Sequence, residues 1–117
     1  MSLTSCETES IAVDKRLEEL VMEAQVVEIQ EMSKNMDCDT ALEWGYAAFG
    51  EKACGGPRGY VAYPIHKSSK DFLVLLIEHT DTERAFIKKW DVMSDCLMVQ
   101  KPSSVRCVEG QATLIYE

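Results

Sequence analysis

The side chains with the greatest chemical potential in this chain are its five cysteines. Cys38, Cys54, Cys96 and Cys107 lie in sequence with the composition of folded segments, whereas Cys6 lies in a polar N-terminal stretch. Four such cysteines are enough for two disulfide bonds. Their spacing contains no C-x-x-C pair and does not match the common zinc fingers or ribbons. We therefore expect two disulfides, with free buried thiols and a metal site as the alternatives.

A cysteine enzyme needs a thiolate beside a base, and the sequence offers one such pair, Cys54 and His66. A strand between them would separate the two side chains by roughly 20 Å. The other histidine, His79, lies on the apolar face of a predicted helix, where we expect it to be packed and hydrogen-bonded. No catalytic residues are predicted, so we expect a protein that is not an enzyme.

A calcium site is suggested at first by Asn35, Asp37 and Asp39, which mimic the start of a calcium-binding loop. Thr40 stands where the turn glycine of such a loop belongs, and Tyr46 stands where its bidentate acid belongs. A solvated turn is the simpler interpretation. We predict no metal and no cofactor.

The segment CGGPRGYVAYP, residues 54–64, combines a cysteine, a glycine pair and a proline ahead of a β-prone run. It is not a phosphate loop, because no GK[ST] follows and the next element is a strand. Arg58 is predicted at the tip of this rigid loop, followed by Gly59 and Tyr60. Preorganisation lowers the entropy cost of binding, so these three residues form the predicted binding site. An ordinary solvated turn is the alternative.

The net charge of the chain limits the classes of partner that it can bind. The 117 residues include 20 acidic and 12 basic ones, which gives a net charge of −8. Binding to a polyanion requires a basic stripe, so nucleic acid and anionic membrane surfaces are disfavoured. A protein of the envelope or of the extracellular space is the expected partner.

The N-terminal residues 1–9 are predicted to be a flexible tail, and residues 10–117 a single α+β domain. Within the tail, Leu3-Thr4-Ser5-Cys6 resembles the end of a bacterial lipobox, in which the cysteine is lipidated. A leader fused to the mature chain, with an irrelevant cysteine, is the alternative. A lipid on Cys6 is the only membrane attachment that we expect, since no apolar run is long enough to span a bilayer.

Apolar periodicity predicts a helix over about 10–32, whose second half could alternatively be a strand. It also predicts a second, long helix up to about Asp91 with N-cap serines at 68 and 69, which could alternatively be broken at the polar turn 80–82. Strands are predicted over 41–49, 60–65 and 112–116, and residues 97–108 form a further extended segment with a corner at Pro102. This order predicts an antiparallel sheet of about four strands with two helices packed on one face.

Strand directions allow a prediction of the disulfide pairing. If the first strand rises, the second descends and the second helix returns upward, Cys54 and Cys96 share the top of the sheet. Cys38 and Cys107 then share the bottom. These two pairs are favoured over the other two pairings.

Four short segments surround the cysteines: Asp37-Cys38, Ala53-Cys54-Gly55-Gly56-Pro57, Ser94-Asp95-Cys96 and Cys107-Val108-Glu109-Gly110. Together they resemble a group of small bacterial secreted proteins and lipoproteins with a CGGP…SDC…CVxG pattern. Members usually carry two further cysteines, and this chain has neither, which is consistent with the loss of one disulfide as a unit. The resemblance implies export to the periplasm or cell envelope and disulfide bonds, and it implies no catalytic residues.

These observations predict a non-catalytic binding or inhibitor-like domain of the bacterial envelope. A structural or accessory lipoprotein without a soluble ligand is the alternative. A cysteine-dependent enzyme is the third hypothesis, and it lacks a nucleophile, base or metal constellation.

Overall fold

The computed structural model describes the backbone of residues 3–40, 43–65 and 70–117, and the side chains of these ranges from residue 11 onward. Six elements follow one another in the predicted order: α1 (Leu3–Lys34), β1 (Trp44–Phe49), β2 (Gly59–Pro64), α2 (Lys70–Trp90), β3 (Ser104–Val108) and β4 (Gln111–Ile115). The predicted α+β class and the predicted sequence of elements are confirmed.

The antiparallel hairpin of β1 and β2 forms the central layer of the protein. Because successive residues of a strand point to opposite faces, Val61 and Ala62 enter two different cores. Val61 packs against Ile29 of α1 and Phe72 of α2. Ala62 packs on the other side with a cluster that includes Trp44, Cys38 and Val105. Both helices therefore cover one face of the central hairpin, as predicted.

The second face of the central hairpin is covered by the other two strands. The sequence predicted one sheet of about four strands, whereas β3 and β4 form a separate antiparallel pair. The two-residue turn that joins them has positive φ at Glu109 (52°) and Gly110 (79°), as the tight hairpin turns require. The central hairpin is apolar on both faces, so each face must be covered by another layer. The two helices cover one face, and the hairpin of β3 and β4 packs on the other.

The start of α1 differs from the prediction. α1 starts at Leu3, seven residues before the predicted start, and it remains helical through the stretch for which a strand was the alternative. The predicted long second helix is confirmed, and the alternative of a break at 80–82 is not realised, because α2 runs without interruption from Lys70 to Trp90. The hydroxyls of Thr80 and Thr82 donate to the carbonyls of Leu76 and Glu78, each at 2.8 Å, which accommodates this polar turn inside the helix. The predicted N-cap serines, Ser68 and Ser69, lie outside the described residues.

Residues 92–103 contain neither helix nor strand. The sequence placed Leu97, Met98 and Val99 in an extended segment, but no neighbouring strand pairs with them in the described chain. The carbonyl of Leu97 instead accepts a hydrogen bond from Lys52 Nζ at 2.7 Å. Regular pairing resumes only at Ser104, after the buried Pro102.

Candidate functional site

The loop between β1 and β2 is held against α2 by its first two residues. The backbone N–H of Gly50 donates to the hydroxyl of Thr80 at 2.9 Å, and the N–H of Glu51 donates to Glu83 Oε1 at 2.6 Å. Both are contacts between a loop backbone and a helix side chain more than 25 positions away. The base of the loop therefore has a fixed position relative to α2.

The far side of the same loop is tied to the irregular segment 92–103. A disulfide joins Cys54 to Cys96, with their Cα atoms 5.5 Å apart. Beside it, Lys52 Nζ donates to the carboxylate of Asp95. This hydrogen bond, followed by the charge of Lys52 and a bond from the backbone of Leu97, lowers the pKa of Asp95. One covalent bond and one ion pair thus connect two segments that have no regular structure.

Both predicted disulfides are confirmed. The second joins Cys38 to Cys107, with a Cα separation of 5.4 Å. It lies inside the core between the two hairpins, since Cys38 is only 4% exposed. Cys54 and Cys96, in contrast, are both exposed. One bond braces the core and the other braces a surface.

That surface is called here the CGGP face, and it consists of the loop residues Cys54–Pro57, the aromatic ring of Tyr60 and the segment Cys96–Val99. These residues line a cleft of about 290 Å³. At its rim Leu97 is 75% exposed and Met98 is 95% exposed. Large apolar side chains that cluster at the surface commonly mark a site of interaction. A thioether such as that of Met98 also adapts readily to different apolar surfaces.

The predicted binding residues Arg58, Gly59 and Tyr60 are not gathered on one surface. Arg58 turns towards α2, where its Nε lies 3.4 Å from Glu83 Oε1. Gly59 lies under the ring of Phe49, so that a Cβ at this position would be 3.1 Å from Phe49 Cζ. Tyr60 alone reaches the CGGP face, and its ring meets that of Tyr46 edge to face at 5.9 Å. A binding role for Arg58 stays a prediction.

A second cleft, of about 430 Å³, lies between α1 and α2 near Arg58 and Glu83. His79 lies beside this cleft, is fully buried, and has its Nδ1 2.8 Å from Gln25 Oε1. Because an amide oxygen only accepts, Nδ1 carries the proton and donates, and Nε2 is left as an acceptor. Nε2 is buried and has no partner among the described residues. The expectation of a packed, hydrogen-bonded histidine is confirmed.

Burial is the main reason why the pKa of His79 is lowered. The carboxylate of Glu83 acts in the opposite direction, and the charge of Arg58 adds to the lowering. The imidazole is therefore neutral at pH 7. Since it has no contact with solvent, its position is that of a core residue rather than that of an accessible base.

The remaining candidates for catalysis, metal binding and membrane attachment are Cys54, His66, the acidic side chains and Cys6. The sulfur of Cys54 is part of a disulfide, and His66, its potential partner, lies outside the described residues. Within 3–40, 43–65 and 70–117, no three His, Cys, Asp or Glu side chains are grouped so that they could hold a metal ion. The side chain of Cys6 is not among those described. No helix in the described ranges has the length and apolarity needed to span a membrane.

Sequence reasoning missed the residues at the rim of the CGGP face. Leu97 and Met98 were assigned to an extended apolar segment, because a short apolar run usually indicates a buried strand. A run of three consecutive apolar residues lacks the alternation of a half-buried strand, and this was the available signal. The ion pair of Arg58 with Glu83 gave no signal at all, because it joins residues 25 positions apart.

Comparison of the chain with family models, with curated proteins and with solved structures finds no match.

Proposed function

We propose that the protein is a non-catalytic binding domain of the bacterial envelope, and that it recognises another exported protein through the CGGP face. The single observation that carries the proposal is the exposure of Leu97 and Met98 beside the disulfide Cys54–Cys96. An apolar rim on a covalently fixed loop is suited to binding, because little conformational entropy is lost when a partner docks.

An exported location is supported by the two disulfides, which are compatible with an oxidising compartment. The resemblance to small secreted proteins and lipoproteins points the same way. We propose the periplasm or the cell envelope as the site of action, with a lipid on Cys6 as the anchor. The proposal predicts that protein exported by its natural host carries an added acyl mass on Cys6.

The chemistry of the rim indicates what kind of partner surface would fit. Leu97 and Met98 present apolar atoms, and Lys52 and Asp95, which line the same cleft, form an ion pair with each other at 2.5 Å. A complementary surface therefore needs an apolar patch, and it needs no strong charge of either sign. Interfaces of this kind have an apolar centre surrounded by a polar rim.

A capture experiment tests the proposal. The oxidised protein is immobilised and exposed to an envelope fraction and to purified exported proteases, alongside a Leu97→Ser/Met98→Ser double variant. Ile77→Ser is the matched control, because Ile77 on α2 is also apolar and is 61% exposed. We expect a partner that is retained by the wild type and by Ile77→Ser, and is lost or weakened at least tenfold by the double variant.

Arg58→Ala is measured in the same series to test its predicted role. Loss of the partner with this variant would add Arg58 to the interface. A partner that binds the double variant as well as it binds the wild type would overturn the assignment of the CGGP face. Capture of no partner at all would favour the structural or accessory role, and turnover abolished by a Cys54 or His66 substitution would revive the enzyme.

A further inference from the structure

The outer side of α1 carries a stripe of exposed apolar side chains that no part of the described chain covers. Val13, Leu17, Leu20, Ala24 and Val27 follow one another at intervals of four, three, four and three residues. The four larger ones are each between 44% and 56% exposed. This stripe, called here the outer stripe, extends over roughly 21 Å of helix at 1.5 Å per residue.

The outer stripe is distinct from the face with which α1 contacts the rest of the protein. The inner face contributes Val26 and Ile29 to the core and Gln25 to the hydrogen bond with His79. Residues two positions apart on a helix lie roughly 160° apart around its axis. Since Ile29 points into the core, Val27 points away from it, towards solvent. α1 has one apolar face for the fold and a second that the fold does not use.

The spacing of the stripe specifies the kind of partner. Intervals of four and three residues form the heptad pattern, which matches the seam between two supercoiled helices. A membrane surface would need no such regularity. Acidic side chains also flank the stripe at Asp14, Glu23 and Glu28, and they would be repelled by anionic lipid. A helix is thus the favoured occupant.

We propose that this helix is α1 of a second copy of the chain, packed antiparallel about a two-fold axis at Leu20. In that register Leu20 faces Leu20 of the second copy and Val13 faces Val27 of the second copy. Leu17 comes within one residue of Ala24 of the second copy, about 1.5 Å along the helix axis, so that a large side chain lies beside a small one. The stripe is therefore self-complementary in size, as an isologous interface requires.

Charge favours the antiparallel orientation at one edge of the stripe. Arg16 precedes Leu17 at the edge of the stripe, and in the antiparallel register it comes within one residue of Glu23 on the same edge of the second copy. Within one chain Arg16 Nη1 already lies 3.2 Å from Glu23 Oε1, so the pair has only to be exchanged or shared. In a parallel pair, Glu23 would instead meet Glu28 of the second copy, and like charges there are unfavourable.

Other charges oppose the dimer, and they give it a salt dependence. Asp14 approaches Glu28 of the second copy on the opposite edge, and each chain carries a net charge of −8. Repulsion between exposed charges is screened within about 8 Å at physiological ionic strength. Added salt should therefore strengthen the association. The dimer uses a surface that is separate from the CGGP face and does not rest on the function proposed above.

Sedimentation equilibrium of the full chain tests the dimer. At concentrations of tens of micromolar and above, we expect a mass approaching twice the 13.2 kDa of one chain. Leu20→Glu should weaken the dimer at least tenfold, because it places two carboxylates together at the axis. Ile77→Glu, at an apolar site on α2 that is 61% exposed against 44% for Leu20, should leave it unchanged. A monomer at high concentration, or a dimer insensitive to Leu20→Glu, would overturn the proposal.

Disulfide trapping in a Cys6→Ser background tests the orientation. Under mild oxidation, Leu20→Cys should cross-link with itself, and Val13→Cys should cross-link with Val27→Cys in a mixture but not with itself. Self-linking of Val13→Cys would indicate a parallel pair and would overturn the antiparallel arrangement. Binding to lipid vesicles that is lost with Leu20→Glu, in the absence of any dimer, would assign the stripe to a membrane instead.

Discussion

Glu83, on α2, accepts a hydrogen bond from the backbone N–H of Glu51 at 2.6 Å, although the two residues are 32 positions apart. The same carboxylate oxygen lies 3.4 Å from Arg58 Nε, and Glu83 is only 8% exposed. One helix side chain thus binds both ends of the loop that carries the CGGP sequence. The loop is positioned by α2 as well as by its disulfide.

Replacing Glu83 should therefore release the loop. We expect Glu83→Ala to lower the free energy of unfolding by about 1–3 kcal/mol, because the N–H of Glu51 loses its acceptor in a partly buried place. Chemical denaturation measures the loss.

Glu78→Ala is the matched control, because Glu78 is an exposed carboxylate on the same helix. Its effect should be within about 0.5 kcal/mol of zero. Equal losses in the two variants would show that the contact with Glu51 adds nothing to stability.

The two disulfides should differ in their resistance to reductant. Each closes a long loop, with 42 positions between Cys54 and Cys96 and 69 between Cys38 and Cys107, so each should stabilise the fold by roughly 4 kcal/mol in the chain-entropy model. Reduction requires a thiolate to reach a sulfur atom. The exposed bond Cys54–Cys96 should open at lower reductant concentration than the bond that holds the buried Cys38.

Alkylation and peptide mass mapping at increasing reductant would show the order of opening. Before reduction, the denatured chain should contain one reactive thiol, that of Cys6, or none if this cysteine is acylated. Opening of the Cys38–Cys107 bond first would contradict the burial argument, and five thiols at the start would remove the case for an oxidising compartment.

Much of this arrangement could be predicted because it depends on chain direction and periodicity. The pairing of Cys54 with Cys96 follows from alternating strand directions, and the burial of His79 follows from its position on an apolar helix face. The division of the strands into two hairpins could not be predicted, because it depends on both faces of the central hairpin needing cover. The turn of Arg58 towards α2 depends on Glu83, which is close only in the folded chain.

The free energy of unfolding should decrease as the pH falls, because His79 is buried in its neutral form. Its folded-state pKa is lowered by burial, so below the ordinary value of about 6.5 the unfolded chain takes up a proton that the folded chain resists. The contribution of neutral His79 to the free energy of unfolding is fully present above about pH 6.5, and it is lost progressively as the pH falls towards the folded-state pKa. The slope approaches about 1.4 kcal/mol per pH unit. Glu83 and Arg58 are the charged side chains that act on His79.

Unfolding free energies measured between pH 8 and pH 5 would reveal this slope. His79→Gln should reduce the slope between pH 6.5 and pH 5, whereas replacing His66, the only other histidine, should leave it in place. An unchanged slope in His79→Gln would mean that the pH dependence arises from other groups.

Gly50 and Gly110 offer a test of how tightly the loop is packed against α2. Both have positive φ, 74° and 79°, so alanine at either position incurs about 1–2 kcal/mol of backbone strain. Nothing lies within 4 Å of a Cβ built at Gly110, but one built at Gly50 lies 2.7 Å from Glu83 Oε1 and 2.8 Å from Arg58 Cβ. Gly50→Ala should therefore cost more than Gly110→Ala, by roughly 1–3 kcal/mol, because it also displaces the carboxylate from Glu51. In the Glu83→Ala background that excess should shrink, since one of the two clashes is gone. Equal losses of unfolding free energy in Gly50→Ala and Gly110→Ala would show that the loop can move away from α2 without destabilising the fold.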